Sequence, residues 1–260
     1  MSCIALTIAG SDPGGGAGLQ ADLKTFHQFG VYGAAVVTLI TVQNTVRMSR
    51  VETLDAGLVG EQLDAVLCDL PPNAVKTGAM GTAAIIEAVA ARRIPCPLVV
   101  DPVTIGKHGM ALMNEDARVA FRRLLLPRAT LVTPNLDEAA ELAGIGVSDA
   151  ETMREAAKRI AGLGAASVLV KGGHLAGDAL DILWHYGVFT EFRSPRIETP
   201  HTHGTGCVYS AAITAGLALG LSVVDAVGRA KSFVHEAIRT APGLGSGYGP
   251  LNLFASHDPL

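Results

Sequence analysis

Short runs rich in β-branched residues alternate with amphipathic segments almost from end to end, and this rhythm constrains the fold more than any other feature of the chain. Strand candidates cover residues 4–9, 34–41, 74–77, 98–101, 130–133 and 167–171. Between them, Leu19, Leu23 and Phe26 share one helical face, as do Leu63, Val66, Leu67 and Leu70; Met153, Ala156, Ala157, Ile160 and Leu163 make a third. Repeated strand–helix–strand units close with right-handed crossovers and predict a parallel sheet covered by helices on both faces. The unbroken apolar run Val36-Val37-Thr38-Leu39-Ile40 suits a strand buried on both sides. After Lys171 the pattern changes: residues 180–186 and 188–194 read as a hairpin turning at Gly187, followed by helices near residues 208–220 and 223–240. No linker or repeat interrupts the 260 residues. Residues 1–260 are therefore expected to form one domain, a three-layer α/β/α sandwich with a mostly parallel central sheet and a late hairpin.

Charge and composition exclude several classes. Twenty Lys and Arg against 24 Asp and Glu give a net charge of −4, which argues against a generic polyanion binder, so no nucleic-acid partner is expected. Residues 199–224 carry no Asp, Glu, Lys or Arg, but Ser210, Thr214, Gly216, Gly220 and Ser222 interrupt the stretch. A spanning helix needs about 20 apolar residues, so a helix buried in protein is expected here and no membrane. The start, Met1 to Leu6, has no basic region of the kind a signal peptide carries. Cys3, Cys68, Cys96 and Cys207 never approach a C-x-x-C spacing, so neither a disulfide framework nor a cysteine zinc site is expected, and a reducing cytoplasm is the expected compartment.

Ligands of open parallel sheets collect at the carboxyl ends of the strands. The residues that follow each strand candidate are Gly- and polar-rich: Gly10 to Gly18, Gln43-Asn44-Thr45, Lys76-Thr77-Gly78, Asp101-Pro102-Val103, Thr133-Pro134-Asn135 and Lys171-Gly172-Gly173-His174. Their convergence on one rim predicts a small-molecule site. The first cluster lacks the Lys-Ser/Thr of a P-loop, and Leu19 stands where a dinucleotide loop needs its third glycine. It reads either as a tight turn or as a floor on which a flat ligand meets bare backbone. Thr202-His203-Gly204-Thr205-Gly206-Cys207, directly before an apolar helical run, is sharper. Gly-x-Gly at a helix start aims free amides and the helix dipole at one point, where an anion is favoured. Cys207 falls in the first turn, where that field would favour a thiolate and lower the thiol pKa. The plain alternative is an entry turn with a core cysteine.

Asn135-x-x-Glu138 has the spacing of a capping box, which does not exclude a ligand role. Asp101 ends a strand where a carboxylate can hold phosphate-bound Mg²⁺. Lys171 and Lys231 are candidates for neutralising phosphates, Lys231 reading equally as a solvated lysine. His201 and His203 form H-x-H with no third ligand in sight, which favours hydrogen bonding over metal binding. Residues 243–250, Gly-rich throughout, read as a tail loop.

Taken in order, Ala9-Gly10-Ser11-Asp12, the run Gly15 to Lys24, Gln43-Asn44-Thr45, Thr133-Pro134-Asn135, Lys171-Gly172-Gly173-His174 and Thr202 to Cys207 closely resemble the bacterial hydroxymethylpyrimidine/phosphomethylpyrimidine kinases of thiamine biosynthesis, in the ribokinase-like superfamily. The resemblance covers essentially the whole chain. It implies an ATP- and Mg²⁺-dependent kinase that phosphorylates 4-amino-5-hydroxymethyl-2-methylpyrimidine and then its monophosphate. It further implies that Gln43 bonds the pyrimidine, with Gly10, Asp22, Ala79 and Val103 around the ring. Cys207 would take the alcohol proton and Gly204, Thr205 and Gly206 would form the anion hole. Asn135, Glu138, Lys171, Thr205 and Lys231 would serve ATP, Asp101 and Glu138 the metal. A homodimer is also implied. Ribokinase itself inserts a small β lid early; here the first helix leads straight to Ala34, as in the lidless vitamin kinases. Two departures stand out. Ala79 occupies a pocket position where the family often has Met, with Met80 next to it as a candidate substitute, and the flap reads Gly106-Lys107-His108-Gly109, of which Lys107 matches the family.

The chemistry is coherent apart from the resemblance, because phosphoryl transfer asks the protein mainly for positioning and charge neutralisation. Pyridoxal kinase is the nearest rival reading. A Cys207-dependent hydrolase lacks any motif for an acyl pocket, and a non-catalytic sensor sits poorly with the intact Asp101, Glu138 and Cys207.

Overall fold

The computed structural model describes residues 3–256 apart from His174 and Ala176. Met1 and Ser2, read above as part of the chain's start, and His174, which ends one rim motif, lie outside the described residues. A nine-stranded sheet runs in the order β3-β2-β1-β4-β5-β6-β7-β8-β9. Its parallel centre is β2 (Tyr32–Gln43), β1 (Ile4–Ser11), β4 (Ala74–Thr77), β5 (Leu98–Val100), β6 (Leu131–Val132) and β7 (Ser167–Gly172). The expected late hairpin is β8 (Ala179–His185) and β9 (Val188–Ser194), with its turn at Tyr186 and Gly187; β8 pairs antiparallel with β7, and β9 antiparallel with β8. One strand was not anticipated: β3 (Met48–Thr53) pairs antiparallel with β2 at the sheet edge. Its sequence, Met-Ser-Arg-Val-Glu-Thr, has no apolar run because it is largely exposed.

Period-two alternation sends successive side chains into two separate cores. Leu98 and Val100 of β5 enter one and Val99 the other; Val168 and Val170 of β7 are likewise opposed by Leu169. The first core is covered by α2 (Ala56–Asp69), α3 (Ala83–Ala90), α4 (Glu115–Ala120), α5 (Leu136–Ala143) and α6 (Ala150–Gly162). The second is covered by α1 (Gly18–Gln28), α7 (Thr205–Ala218) and α8 (Val223–Arg239). The architecture is thus the three-layer α/β/α sandwich, with no lid between α1 and β2.

The helical faces read from the sequence hold with one correction. Met153, Ala156, Ala157 and Ile160 of α6 are fully buried, but Leu163 lies just past the helix end and is 41% exposed. The uncharged stretch becomes α7, in which every residue from Val208 to Ala218 is buried. A helix surrounded by sheet, α1 and α8 needs no polar face. Among the described residues no helix is long and apolar enough to cross a membrane.

Candidate active site

The carboxyl ends of the parallel strands open into one cavity of about 540 Å³. Gly10, Asp22, Gln43, Ala79 and Val103 line it on one side of Cys207, and Asp101, Asn135, Glu138, Lys171, Lys231, Gly204, Thr205 and Gly206 complete its wall. The strand-end logic of the sequence therefore brings the residues expected to meet substrate, nucleotide and metal to the same place, while His201, Thr133, Asn44 and Thr45 lie outside the lining.

The two glycine clusters meet here, which nothing in their spacing announced. Gly204, the N-cap of α7, has φ 81°, and a Cβ on it would lie 1.8 Å from the Gly16 carbonyl oxygen. Asp12 holds the contact together. Its Oδ2 accepts from His203 Nε2 at 2.9 Å, from the Ala17 amide at 2.9 Å and from the Gly16 amide at 3.1 Å. Its Oδ1 accepts from the Gly14 amide at 2.9 Å. Burial works against charge on Asp12, but His203 and the loop amides outweigh it and hold the carboxyl below the usual range. The first cluster is therefore an anchored turn whose edge, Gly10 and Gly18, also forms cavity floor. His203 is taken up by a carboxylate.

At the start of α7 the Thr205 amide and hydroxyl turn back to the Thr202 carbonyl, at 3.3 and 2.9 Å, and the Val208 amide reaches Gly204. The Gly206 and Cys207 amides fall in the first turn, where a helix offers no acceptor. Thr205 thus shapes the cradle from behind. Lys171 lies beside it: a Cβ on Gly206 would stand 3.3 Å from Lys171 Nζ, so glycine here keeps the space next to the ammonium open.

Asp101 and Lys171 form an ion pair of 3.0 Å, and Asp101 also accepts from Thr133 Oγ1 at 3.0 Å and Ser210 Oγ at 3.2 Å. Burial opposes charge on Lys171, yet Asp101 and Glu138 hold its ammonium above the ordinary range. Asn135 and Glu138 do form the capping box of α5, with reciprocal bonds of 2.9 and 2.8 Å. Burial pushes the Glu138 carboxyl up to about 7, against the pull of Lys171. A cap is satisfied by a neutral or charged carboxyl, so structural and ligand roles coexist. Lys231 is not solvated; it donates to Asp181 Oδ2 at 2.7 Å and to the Ala179 carbonyl at 2.9 Å. Arg196, unremarked in the sequence, donates to the carbonyls of Gly173, Leu175 and Gly177 and shapes the loop beside Lys171.

Cys207 corrects the sequence reading. The thiol is partly open to the cavity but densely surrounded by protein, and this burial pushes its pKa up to about 11 rather than down. Helix-start polarity does not overcome desolvation with Asp22 and Asp101 nearby, and Lys76 tempers the shift without reversing it. Lys76 itself was visible only as a rim residue. It is fully buried and pairs with Asp22 Oδ1 at 2.7 Å, while Thr7 Oγ1 donates to Asp22 Oδ2 at 2.6 Å. Burial opposes the Lys76 charge, but Asp22, Cys207 and Asp101 keep its ammonium above the ordinary range. Asp22 is thus occupied by an internal cation.

At the far end, Gln43 Oε1 is buried without a hydrogen-bond partner, an arrangement that a ligand donor would complete. Ala79 leaves this wall small. Met80 does not substitute for a larger side chain there, because it is fully buried in the first core instead of lining the cavity. Residues 243–250 are more than a tail loop. Tyr248 donates its amide to the Thr45 carbonyl at 2.8 Å and Gly249 accepts from the His203 amide at 3.1 Å, so the segment braces both the Gln43 turn and the anion-hole loop.

A sheet of this order with ligands at its carboxyl ends is the fold of the ribokinase-like kinases. The ADP complex of Bacillus subtilis pyridoxal kinase superposes with a TM-score of 0.90 at 38% identity, covering 98% of each chain. Residues 12–252 match the family model for phosphomethylpyrimidine kinase. The chain belongs to that family. It is 48% identical to the hydroxymethylpyrimidine/phosphomethylpyrimidine kinase of Rhizobium meliloti over 98% of both chains. It is also 48% identical to the thiamine biosynthesis bifunctional protein ThiED of Geobacter sulfurreducens, over 97% of this chain, and spans 53% of that longer protein.

Proposed function

We propose that this chain, acting as one domain over residues 1–260, transfers the terminal phosphoryl group of ATP to the hydroxymethyl oxygen of 4-amino-5-hydroxymethyl-2-methylpyrimidine and then to the resulting monophosphate. The observation that carries the reading is the layout of the cavity: an unpartnered Gln43 amide oxygen stands at one end and the Gly206–Cys207 amides beside Lys171 at the other. Gln43 accepts from the ring amino group, with Gly10, Ala79 and Val103 packing around the heterocycle. Asp22 acts at one remove, by fixing Lys76 beside Cys207. The nucleotide phosphates lie along Asn135, Glu138 and Lys171, and Lys231 orders that side through Asp181.

The Gly204–Gly206 turn and Lys171 stabilise charge on the migrating phosphoryl group, where fixed donors are worth more than water. In the first transfer the alcohol must lose a proton, and Cys207 accepts it. Lys76 makes the thiolate less costly. Because the transition state is loose, deprotonation comes late and a weakly populated base suffices. In the second transfer the nucleophile is already anionic.

The residues present fit Mg²⁺: Glu138 is a buried carboxyl at about 7, ready to ionise beside a cation, and Asp101 lies close enough to raise it. Glu138 and Asp101 would hold the ion, Glu138 the more freely since Asp101 is bound by Lys171, Thr133 and Ser210. A bound Mg²⁺ supplies charge neutralisation at the phosphate oxygens.

The reading extends to a homodimer working in the cytoplasm. The dimer is supported by an apolar strip on the β2–β3 hairpin, where Ile40 and Val42 of β2 and Val46 of the turn are 46, 52 and 57% exposed. A second reading, pyridoxal as the alcohol, is favoured by the likeness to Bacillus subtilis pyridoxal kinase. Mass spectrometry of products formed from the pyrimidine alcohol with Mg–ATP tests the first reading. Successive mono- and diphosphate are expected; higher kcat/KM for pyridoxal than for the pyrimidine would transfer the assignment to the second.

A further inference from the structure

Among the described residues, five lysine and arginine side chains line the cavity: Lys76, Lys107, Lys171, Arg196 and Lys231. Three are paired with buried carboxylates, Lys76 with Asp22, Lys171 with Asp101 and Lys231 with Asp181. Arg196 spends its donors on three backbone carbonyls. Lys107 differs. Its Nζ donates to the neutral hydroxyl of Thr202 at 3.1 Å and lies 4.9 Å from the centre of the Tyr248 ring. It is the lining lysine with no carboxylate partner among the described residues, and burial lowers its pKa below the ordinary lysine range.

Its position is built. Lys107 sits at the tip of a small flap closed by bonds from the Leu112 amide to the Thr104 carbonyl at 2.9 Å and from the Gly106 amide to the Met110 carbonyl at 2.8 Å. Thr202, which holds the ammonium, also receives the Thr205 amide and hydroxyl on its carbonyl, so it belongs to the turn that shapes the anion hole. The ammonium therefore stands between the ring end of the cavity and the amides of α7. A hydroxyl and an aromatic face are weak partners for a lysine and are readily exchanged for an anion.

We propose that Lys107 is the acceptor-phosphate residue: its ammonium binds the phosphate of the monoester made in the first transfer and presents it for the second. The inference rests on the two-step kinase reading above. The acceptors of the two steps differ in charge, the first being a neutral alcohol and the second a phosphate monoester of about −1.5 to −2 at pH 7. Carrying the second into a partly desolvated cavity beside the ATP phosphates calls for a cation whose charge is not already cancelled. In that step a deprotonated oxygen of the monoester forms a bond to the γ-phosphorus of ATP while the bond from that phosphorus to the β,γ-bridging oxygen breaks. ADP leaves with the electron pair, and no proton is transferred.

The test compares kcat/KM for the alcohol and for the purified monophosphate in wild type, Lys107→Met and Lys107→Arg. The expected result is a monophosphate-to-alcohol ratio lowered about tenfold or more by methionine and largely restored by arginine, as for a charge-assisted contact. Calorimetric titration of the monophosphate into nucleotide-free protein supplies a second readout, with weaker binding expected for Lys107→Met and thermal unfolding checked in parallel. An unchanged ratio, or monophosphate affinity unaltered by the methionine variant, would overturn the inference. If wild type phosphorylates neither compound, the two-step reading itself fails; if it phosphorylates both and the ratio stays fixed, only the role of Lys107 is lost.

Discussion

Replacing Cys207 with alanine should separate the two phosphoryl transfers. The thiol sits at about 11. At pH 7.5 its thiolate lies about 3.5 units away, which at about 1.36 kcal/mol per unit is about 5 kcal/mol. The base is expensive to form, so the first transfer in wild type should accelerate as pH rises from 7 to 9, approaching tenfold per unit. General bases contribute about 10²–10⁴-fold, and the cost of this one points to the lower end. Cys207→Ala should therefore slow the first transfer about 100-fold and flatten its pH profile. The second transfer needs no base, and the ratio of second to first kcat should rise about 30-fold or more. Each step is followed separately by liquid chromatography and mass spectrometry, starting from alcohol or purified monophosphate. Equal losses in both steps, or a first step indifferent to pH in wild type, would refute this assignment of the proton.

Three further outcomes follow from the same geometry. Because burial raises the Glu138 carboxyl to about 7, kcat/KM for Mg–ATP should climb as pH rises through about 7, and Glu138→Gln should erase that limb. The sign for stability is opposite: the protonated carboxyl favours the fold, fully so below its ordinary value of about 4.3, and this is lost as pH rises through about 7, so wild type should lose more Tm between pH 6 and 8 than Glu138→Gln. Lys76→Met strands Asp22 as a fully buried charge and should destabilise by about 3–5 kcal/mol in chemical denaturation, with Asp22→Asn added to it recovering part. A fixed unfolding midpoint for Lys76→Met would contradict the buried pair. Gly204→Ala forces a Cβ to within 1.8 Å of the Gly16 carbonyl at φ 81°, so the two glycine loops must part; kcat should fall at least 100-fold in both transfers, while retained activity would show that the loops need not touch.

The fold was legible because its signal is local. Apolar runs and helical periodicity identified the parallel strands, the hairpin and the buried helix α7. β3 escaped because an exposed edge strand has no buried face to write into sequence. Site membership was legible for a topological reason: strand ends converge on one cavity whatever the details of packing. What distance in sequence hides is pairing. Nothing in Ala74-Val75-Lys76-Thr77 announces that Lys76 of β4 meets Asp22 of α1, or that Asp12 reaches His203 to join the glycine loops. Cys207 was read by its helix position alone, whereas its acidity is decided by desolvation and by carboxylates from α1 and the end of β5. The Gly-rich segment at 243–250 looked idle because its partners, Thr45 and His203, belong to loops far back in the chain.

All of this depends on where the migrating phosphorus goes. A crystal structure of the protein with the pyrimidine alcohol, ADP, Mg²⁺ and a planar phosphoryl mimic such as aluminium fluoride would show it. The account predicts the mimic within hydrogen-bond distance of the Gly206 and Cys207 amides, beside Lys171, and in line with an alcohol oxygen that faces the Cys207 sulfur. A mimic held elsewhere in the cavity, with those amides bound only to water, would contradict it.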